Sequence, residues 1–483
     1  MSVESSPSAT PLSATPLSAT PAESPQAGSL ERRLGPLDAA AIIVSNVIGG
    51  GILFTPPQVA AAVPSAPLFL LTWAAGGFLA FAGALAYAEL AALAPKAGGE
   101  YVYLRRAFGP VAGFLTGWTS FVAGFTGAIA TSAVVFAFYV GRFVPWAADS
   151  TPYFSLPVVP SLVTLTVSPQ SLTAIALILG MAWIHRRGVG PGRAVGNVLA
   201  ALKVTALVVF VALAVGFGAG DSAHLSAMAP VPPTGWLLAL IPVMFTYSGW
   251  NAATYVAEEI RDPGRNVPRA LALGTAAVAV LYLALNAIYL YVWPVEELAR
   301  IQGSVLDVVA ERLLGAAAGD VMGVVALVSL AASISAMTFA GPRVYFAMAR
   351  DGAFLPAASR VHPTYRTPGA AIIAQALWAI LLVLSAQADA LVNYTGFALV
   401  LFSGVAVAAL FVLRVREPDA PRPFRAWGYP WLPGLYVLVS VGILVNGLIE
   451  RPAPTGAGLL VIAAGLPLYF WFRRQRRREA QLR

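Results

Sequence analysis

The sequence predicts an all-α membrane protein of twelve spans, the first and sixth of them broken. Three observations predict it. Apolar stretches of roughly 20 residues recur along the chain, the length needed to cross a bilayer. Basic residues fall almost wholly on one side of those stretches. The first and sixth stretches are interrupted, at corresponding places, by residues poor at continuing a helix. Composition agrees: of 483 residues, 58% are hydrophobic and 11% charged. A soluble core could not hide so much apolar surface, so lipid is the expected solvent.

The apolar stretches lie near 39–61, 66–93, 111–144, 170–185, 194–217, 235–258, 269–293, 319–349, 369–386, 389–413, 430–449 and 455–472. If the N-terminus is cytoplasmic, only Arg142, Arg300, Arg312 and Arg451 of the 30 Lys+Arg fall in outside loops. Lys203 falls within a span, and the others lie inside. Both termini are then cytoplasmic. Residues 1–30, with the run SATPLSATPLSATPAESP, lack the basic and apolar regions of a signal peptide and read as a disordered tail. The basic tail 473–483, with its RRQRRR run, is expected on anionic headgroups rather than nucleic acid. Two connecting segments, Lys96 to Phe108 inside and Glu296 to Leu314 outside, are amphipathic and suit the mouths of a pathway or plain interfacial helices.

The first stretch contains Gly49-Gly50-Gly51, with Pro56-Pro57 behind it. Glycine costs about 1 kcal/mol per residue in a helix interior relative to alanine. A half-helix starting around Gly50 would aim free N–H groups and the positive end of its dipole into the membrane, a site for a carboxylate. Close helix packing is the other reading of the glycines, and Gly113 and Gly117 are read as packing. The sixth stretch breaks at Thr246-Tyr247-Ser248-Gly249-Trp250-Asn251. A break there frees the carbonyls of Phe245, Thr246 and Ser248, which suit an ammonium group. One break supplies donors and the other acceptors, matching an α-amino acid zwitterion. At equivalent places in two five-span halves, the pair points to a transport site.

Lys203 lies about 14 Å into the fifth stretch, from the 1.5 Å helix rise. A midplane cation is costly unless paired, and is functional by default. It could stand where a sodium ion would bridge the broken helix, load and unload a proton, or simply bond carbonyls. Other charges read as peripheral: Glu89 as interfacial, Arg343 as snorkelling, and Glu258 and Glu259, beside Arg261 and Arg265, as an inner gate or a solvated cluster. With no cysteine, and only His185, His224 and His362 at loops or span ends, no cofactor or metal is expected. No metalloprotease, nucleophile-elbow or P-loop pattern appears, so an enzyme is not expected.

The runs VIGGGILFTP, YAELAALAPKAGGEYVYLRRAFGP, YSGWNAATYVAEEIRDPGRNVPRAL and AGPRVYFAMARDG resemble the amino acid–polyamine–organocation transporters, most closely the L-type amino acid exchangers and their bacterial relatives. The resemblance implies a LeuT-type fold in a bacterial inner membrane. Residues 31–217 and 234–413 would be inverted five-helix repeats, with two helices appended at 430–472. It implies that Gly49, Gly50 and Gly51 bind the substrate carboxylate and that the carbonyls of Val47, Phe245, Thr246 and Ser248 hold the amine. Asn46, Gly249, Trp250, Asn251 and Ser335 would form pocket or gate, and Lys203 replace a sodium site. Gly50 and Ser335 depart from the family's usual serine or threonine and asparagine. The exchangers' partner subunit attaches through a cysteine, so no disulfide-linked partner is expected. The function implied is sodium-independent amino acid exchange or facilitated transport, with protons as the next coupling ion. A polyamine carrier would want mid-depth carboxylates, and a nutrient sensor a large soluble domain.

Overall fold

The computed structural model describes residues 30–483 apart from 160–162, 219, 386–387, 451 and 482–483. The expected tail at 1–30 lies outside them except for Leu30, which is buried with Ala97 and Phe346.

Span one is split into α1 (Pro36–Val47) and α2 (Gly51–Ala62), bent by 48°. Then follow α3 (Ala66–Leu93), the surface helix α4 (Glu100–Phe108), and α5 (Pro110–Thr119) and α6 (Phe125–Val140), joined by a π-helical turn at Ser120–Gly124. Strands β1 (Phe154–Val159) and β2 (Val163–Val167) form an antiparallel hairpin, with Phe154 opposite Val167. The first half closes with α7 (Pro169–Arg186) and α8 (Val189–Phe217).

The second half opens on a split span, α9 (Pro233–Thr246) and the single turn α10 (Ala252–Tyr255), followed by α11 (Pro263–Val292). The short helices α12 (Val295–Leu298) and α13 (Val305–Leu314) precede α14 (Ala316–Arg350), α15 (Gly369–Leu384) and α16 (Ala388–Arg416). Finally come α17 (Trp431–Glu450), α18 (Pro452–Ala463) and α19 (Gly465–Gln481). The helix α19 carries the backbone of the expected basic tail to Gln481.

Each predicted apolar stretch holds helix. Among the described residues, eight helices are long and apolar enough to cross a membrane, nine if α1 and α2 are one span. The other predicted places hold α7, α9 with α10, and α15. In span six the shortfall is the break itself. The β-hairpin departs from the all-α expectation. Its strands lie between spans, where the alternating β-branched run Val163-Thr164-Leu165-Thr166-Val167 favours a strand. The two amphipathic segments do form helices, as α4 and as α12 with α13. Gly113 and Gly117 are packing positions as expected: a Cβ would stand 2.7 Å from Arg105 and 2.3 Å from Met348.

Three readings of charge are corrected. Arg343 does not snorkel. It is fully buried, its Nε and Nη2 donate to Glu259 at 2.7 and 3.0 Å, and its guanidinium lies 3.9 Å from the Phe339 ring. The reason is that α14 runs through the middle of the protein, with few faces toward lipid. Glu89 is not interfacial. It is fully buried, accepting from Arg414 at 2.6 Å and from the Ala426 amide at 2.7 Å. Glu258 pairs with Arg350 at 2.9 Å, so neither glutamate uses Arg261 or Arg265. On this arginine-rich face the backbones of Leu34 and Ile260 form a bridge. The Leu34 amide donates to the Glu259 carbonyl, and the Arg261 amide to the Leu34 carbonyl, each at 2.9 Å.

Candidate functional site

The helix α1 stops because Gly49 and Gly50 follow it, and α2 restarts with Gly50 as its cap. The Leu53 and Phe54 amides turn back to the Gly50 carbonyl at 3.0 and 3.2 Å. Among the described residues, the amides of Gly49, Gly50, Gly51 and Ile52 meet no acceptor. Four such N–H groups at the start of a half-helix carry the positive end of its dipole.

The helix α9 ends at Thr246, and the chain turns through Gly249 at φ +97° before α10. Only glycine suits this turn: a Cβ at 249 would also stand 2.6 Å from Asn46 Nδ2. Asn46 Nδ2 in turn donates to the Gly249 carbonyl at 3.4 Å.

The two breaks touch. A Cβ on Gly51 would stand 3.0 Å from Thr246 Oγ1 and 3.1 Å from Thr246 Cα. Carbonyls of both breaks meet one hydroxyl: Tyr282 Oη of α11 lies 2.8 Å from the Val47 oxygen and 3.3 Å from the Thr246 oxygen. The Phe245 carbonyl accepts from the Ser248 amide at 2.9 Å. The Ser248 carbonyl has no donor among the described residues. Donors on one half-helix thus stand beside acceptors at the end of another.

Lys203 is fully buried on α8, and its Nζ donates to the Ser45 carbonyl at 3.1 Å and to the Ile48 carbonyl. The amine therefore sits at the C-terminal end of α1, on carbonyls at the negative end of its dipole.

The remaining expected pocket or gate residues have the following surroundings. The Trp250 ring packs edge-on against Tyr87, with centroids 4.8 Å apart, and fills the space over Gly83. Asn251 donates to Glu100 at 2.8 Å. Ser335 bonds His185 Nε2 at 2.8 Å and does not face the glycine turn. Ser333 does, its Oγ 3.1 Å from where a Gly49 Cβ would be. Residues two apart on a helix point nearly opposite ways, so Ser333 and Ser335 meet different surroundings. Among the described residues, no cluster of His, Asp and Glu could hold a metal ion.

Residues 34–469 match the family model described as amino acid permease. The chain belongs to the amino acid permease family. With the family, within the amino acid–polyamine–organocation superfamily, goes the LeuT-type membrane fold of a transporter rather than an enzyme. The permease is 31% identical to the human large neutral amino acids transporter small subunit 2 over 460 residues, 92% of this chain and 82% of that one. It is 32% identical to the mouse b(0,+)-type amino acid transporter 1, over 92% of this chain and 88% of that one. It is 29% identical to the mouse Asc-type amino acid transporter 1, over 92% and 81% respectively.

Tyr282 and Ser333 escaped the sequence argument. Tyr282 was the more findable, because a tyrosine hydroxyl within an apolar span must reach a partner. Its hydroxyl ties the Val47 and Thr246 carbonyls of the two breaks together. Tyr282→Phe is expected to raise the KM for an amino acid about fivefold, from the loss of about 1 kcal/mol of hydrogen bonding, with little change in maximal rate. An unchanged KM would show that the hydroxyl positions nothing.

Proposed function

We propose that this permease moves amino acid zwitterions across the membrane by alternating access around its two breaks, as a sodium-independent exchanger or facilitator. One observation carries the reading. The unpaired amides of Gly49 to Ile52 open a half-helix that meets the Thr246 end of α9 at Gly51, so a carboxylate and an ammonium on one carbon would find partners together. The names of the relatives, all amino acid transporters, support the substrate class. Lys203 supports sodium independence, since its ammonium bonds the α1 carbonyls and would repel a second cation there. Proton coupling through Lys203 is the second reading, favoured by its complete burial. The inward placing of both termini rests on the distribution of arginine, and the inner membrane of a bacterium on the resemblance of its sequence runs alone. The first five spans and the next five are read as inverted repeats, supported by a broken helix at the head of each.

The test is uptake of labelled amino acids into liposomes holding the purified protein, with and without amino acid inside, sodium outside, or a pH gradient. Uptake stimulated by internal amino acid and indifferent to sodium is expected. Uptake no faster than in protein-free liposomes under every condition would end the transport reading. Lys203→Ala uncaps α1 and is expected to slow uptake at least tenfold, about 1.4 kcal/mol at the barrier. An unaltered rate and pH dependence would remove Lys203 from the mechanism.

A further inference from the structure

The site just described leaves unused a buried carboxyl on the surface helix α4. The chain reaches it through Gly98 and Gly99, at φ +111° and +50°. That strap is held to the inner half of span six. The Ala97 amide donates to Glu258 at 3.0 Å, and the Gly98 amide to the Tyr255 carbonyl at 3.0 Å. A Cβ on Gly99 would stand 2.6 Å from the Tyr255 ring. This close contact delivers Glu100 into the interior, where it is 7% exposed. Its Oε1 accepts from the Tyr87 hydroxyl at 2.5 Å and from Asn251 Nδ2 at 2.8 Å. Asn251 also reaches the Tyr255 hydroxyl at 3.0 Å and stands at the head of α10. One carboxyl oxygen thus holds the residue on which the inner half of span six turns.

No cation pairs with Glu100 among the described residues. Its titratable neighbours are Tyr87, Tyr103, Tyr255 and Tyr436, which carry no charge at neutral pH. Nearby charged groups are engaged elsewhere. On α14, Arg343 pairs with Glu259 and Arg350 with Glu258. On α16, Arg414 pairs with Glu89 of α3, while Arg416 bonds the Ala107 carbonyl. On α4 itself, Arg105 pairs with Asp351 and Arg106 with Glu417. On α8, Lys203 is bound to α1.

We propose that Glu100 is a proton-binding site that latches the inner half of span six through Asn251, a role that rests on the transport reading. Burial pushes its carboxyl up to about 7, against the hydrogen bonds from Tyr87, Asn251 and Tyr255 that pull it down. Near neutral pH both forms are therefore present. The ionised form accepts the stronger, charge-assisted bonds and holds Asn251 tightly. When a proton from water bonds to a carboxyl oxygen the charge is lost, the bonds weaken and the latch loosens.

The test uses the full-length protein in liposomes and in detergent, at matched pH on both sides. Infrared difference spectra should show a protonated-carboxyl band appearing in the wild type with a midpoint near pH 7. The band should be missing in Glu100→Gln, and Tyr87→Phe, which removes a donor to the carboxylate, should move its midpoint upward. Counterflow of a labelled amino acid should change several-fold across the same midpoint, and Glu100→Gln should transport at one level throughout. A wild-type band with no midpoint between about pH 5.5 and 8.5, or one unaltered in both variants, overturns the proton site. A titrating band with counterflow that ignores pH, or that keeps its pH profile in Glu100→Gln, overturns the latch. Absence of counterflow at every pH would instead overturn the transport reading, while the infrared band still decides whether Glu100 binds a proton.

Discussion

Gly51→Val is expected to abolish amino acid uptake, whereas Gly50→Ala retains it. The three glycines are alike in sequence but not in surroundings. A Cβ at Gly50 meets nothing nearer than 3.9 Å, the side chains of Leu330 and Phe54. At Gly49 it would press on Ser333 Oγ at 3.1 Å, a hydroxyl that can rotate away. At Gly51 it would meet the Thr246 backbone at 3.1 Å as well as its side chain at 3.0 Å. Backbone cannot move aside without parting the two half-helices that, on the proposed reading, together cradle the substrate. Overpacking of this kind costs about 1–3 kcal/mol in stability, which a protein of this size tolerates. Displacing the donors from the acceptors by about 1 Å costs on the order of 100-fold in function. Counterflow in liposomes, together with the rise in melting temperature caused by an amino acid, reads both quantities. A Gly51→Val protein that binds amino acids with wild-type affinity would remove the cradle.

The largest effect on stability is expected at Arg343 and Glu259. Both are completely buried, and the pair is bidentate. Arg343 Nη1 also donates to the Phe339 carbonyl at 2.6 Å. Removing one partner strands the other charge, at a cost of about 3–5 kcal/mol. Arg343→Met or Glu259→Leu alone should therefore markedly lower the melting temperature of the purified protein. The double variant should recover most of the loss, because an apolar pair of similar volume avoids the stranded charge. Single variants as stable as the wild type would mean that the pair contributes nothing to the fold.

The elements legible in the sequence were those announced by backbone chemistry. Three consecutive glycines and the Thr246 to Asn251 stretch cannot continue a helix comfortably in any context, and both breaks lie where they were expected. That Lys203 would be buried was legible from its place within an apolar span. Partners were not legible. Arg343 and Glu89 were misassigned because distance from a span's end says nothing about which side of a helix faces protein. The contacts of Glu259 with Arg343, and of Tyr282 with Val47, join residues far apart in sequence through helix packing. Glu100 was hidden for a related reason: a charged residue in an amphipathic surface helix gives no local sign that two glycines turn it inward.

The backbone bridge between Leu34 and Ile260 bears on how the arginine-rich face would open. Its two hydrogen bonds tie the chain entering α1 to the chain leaving α10. On the alternating-access reading, these halves of the two broken spans would move as one body, with one hinge motion rather than two. Glu259 lies on the border of that body. Its carbonyl is bonded to Leu34 inside the body, while its carboxylate is bonded to Arg343 of the long helix α14. On the alternating-access reading, this single residue is where the moving part and the static frame separate, and α14 is the wall against which the moving part slides.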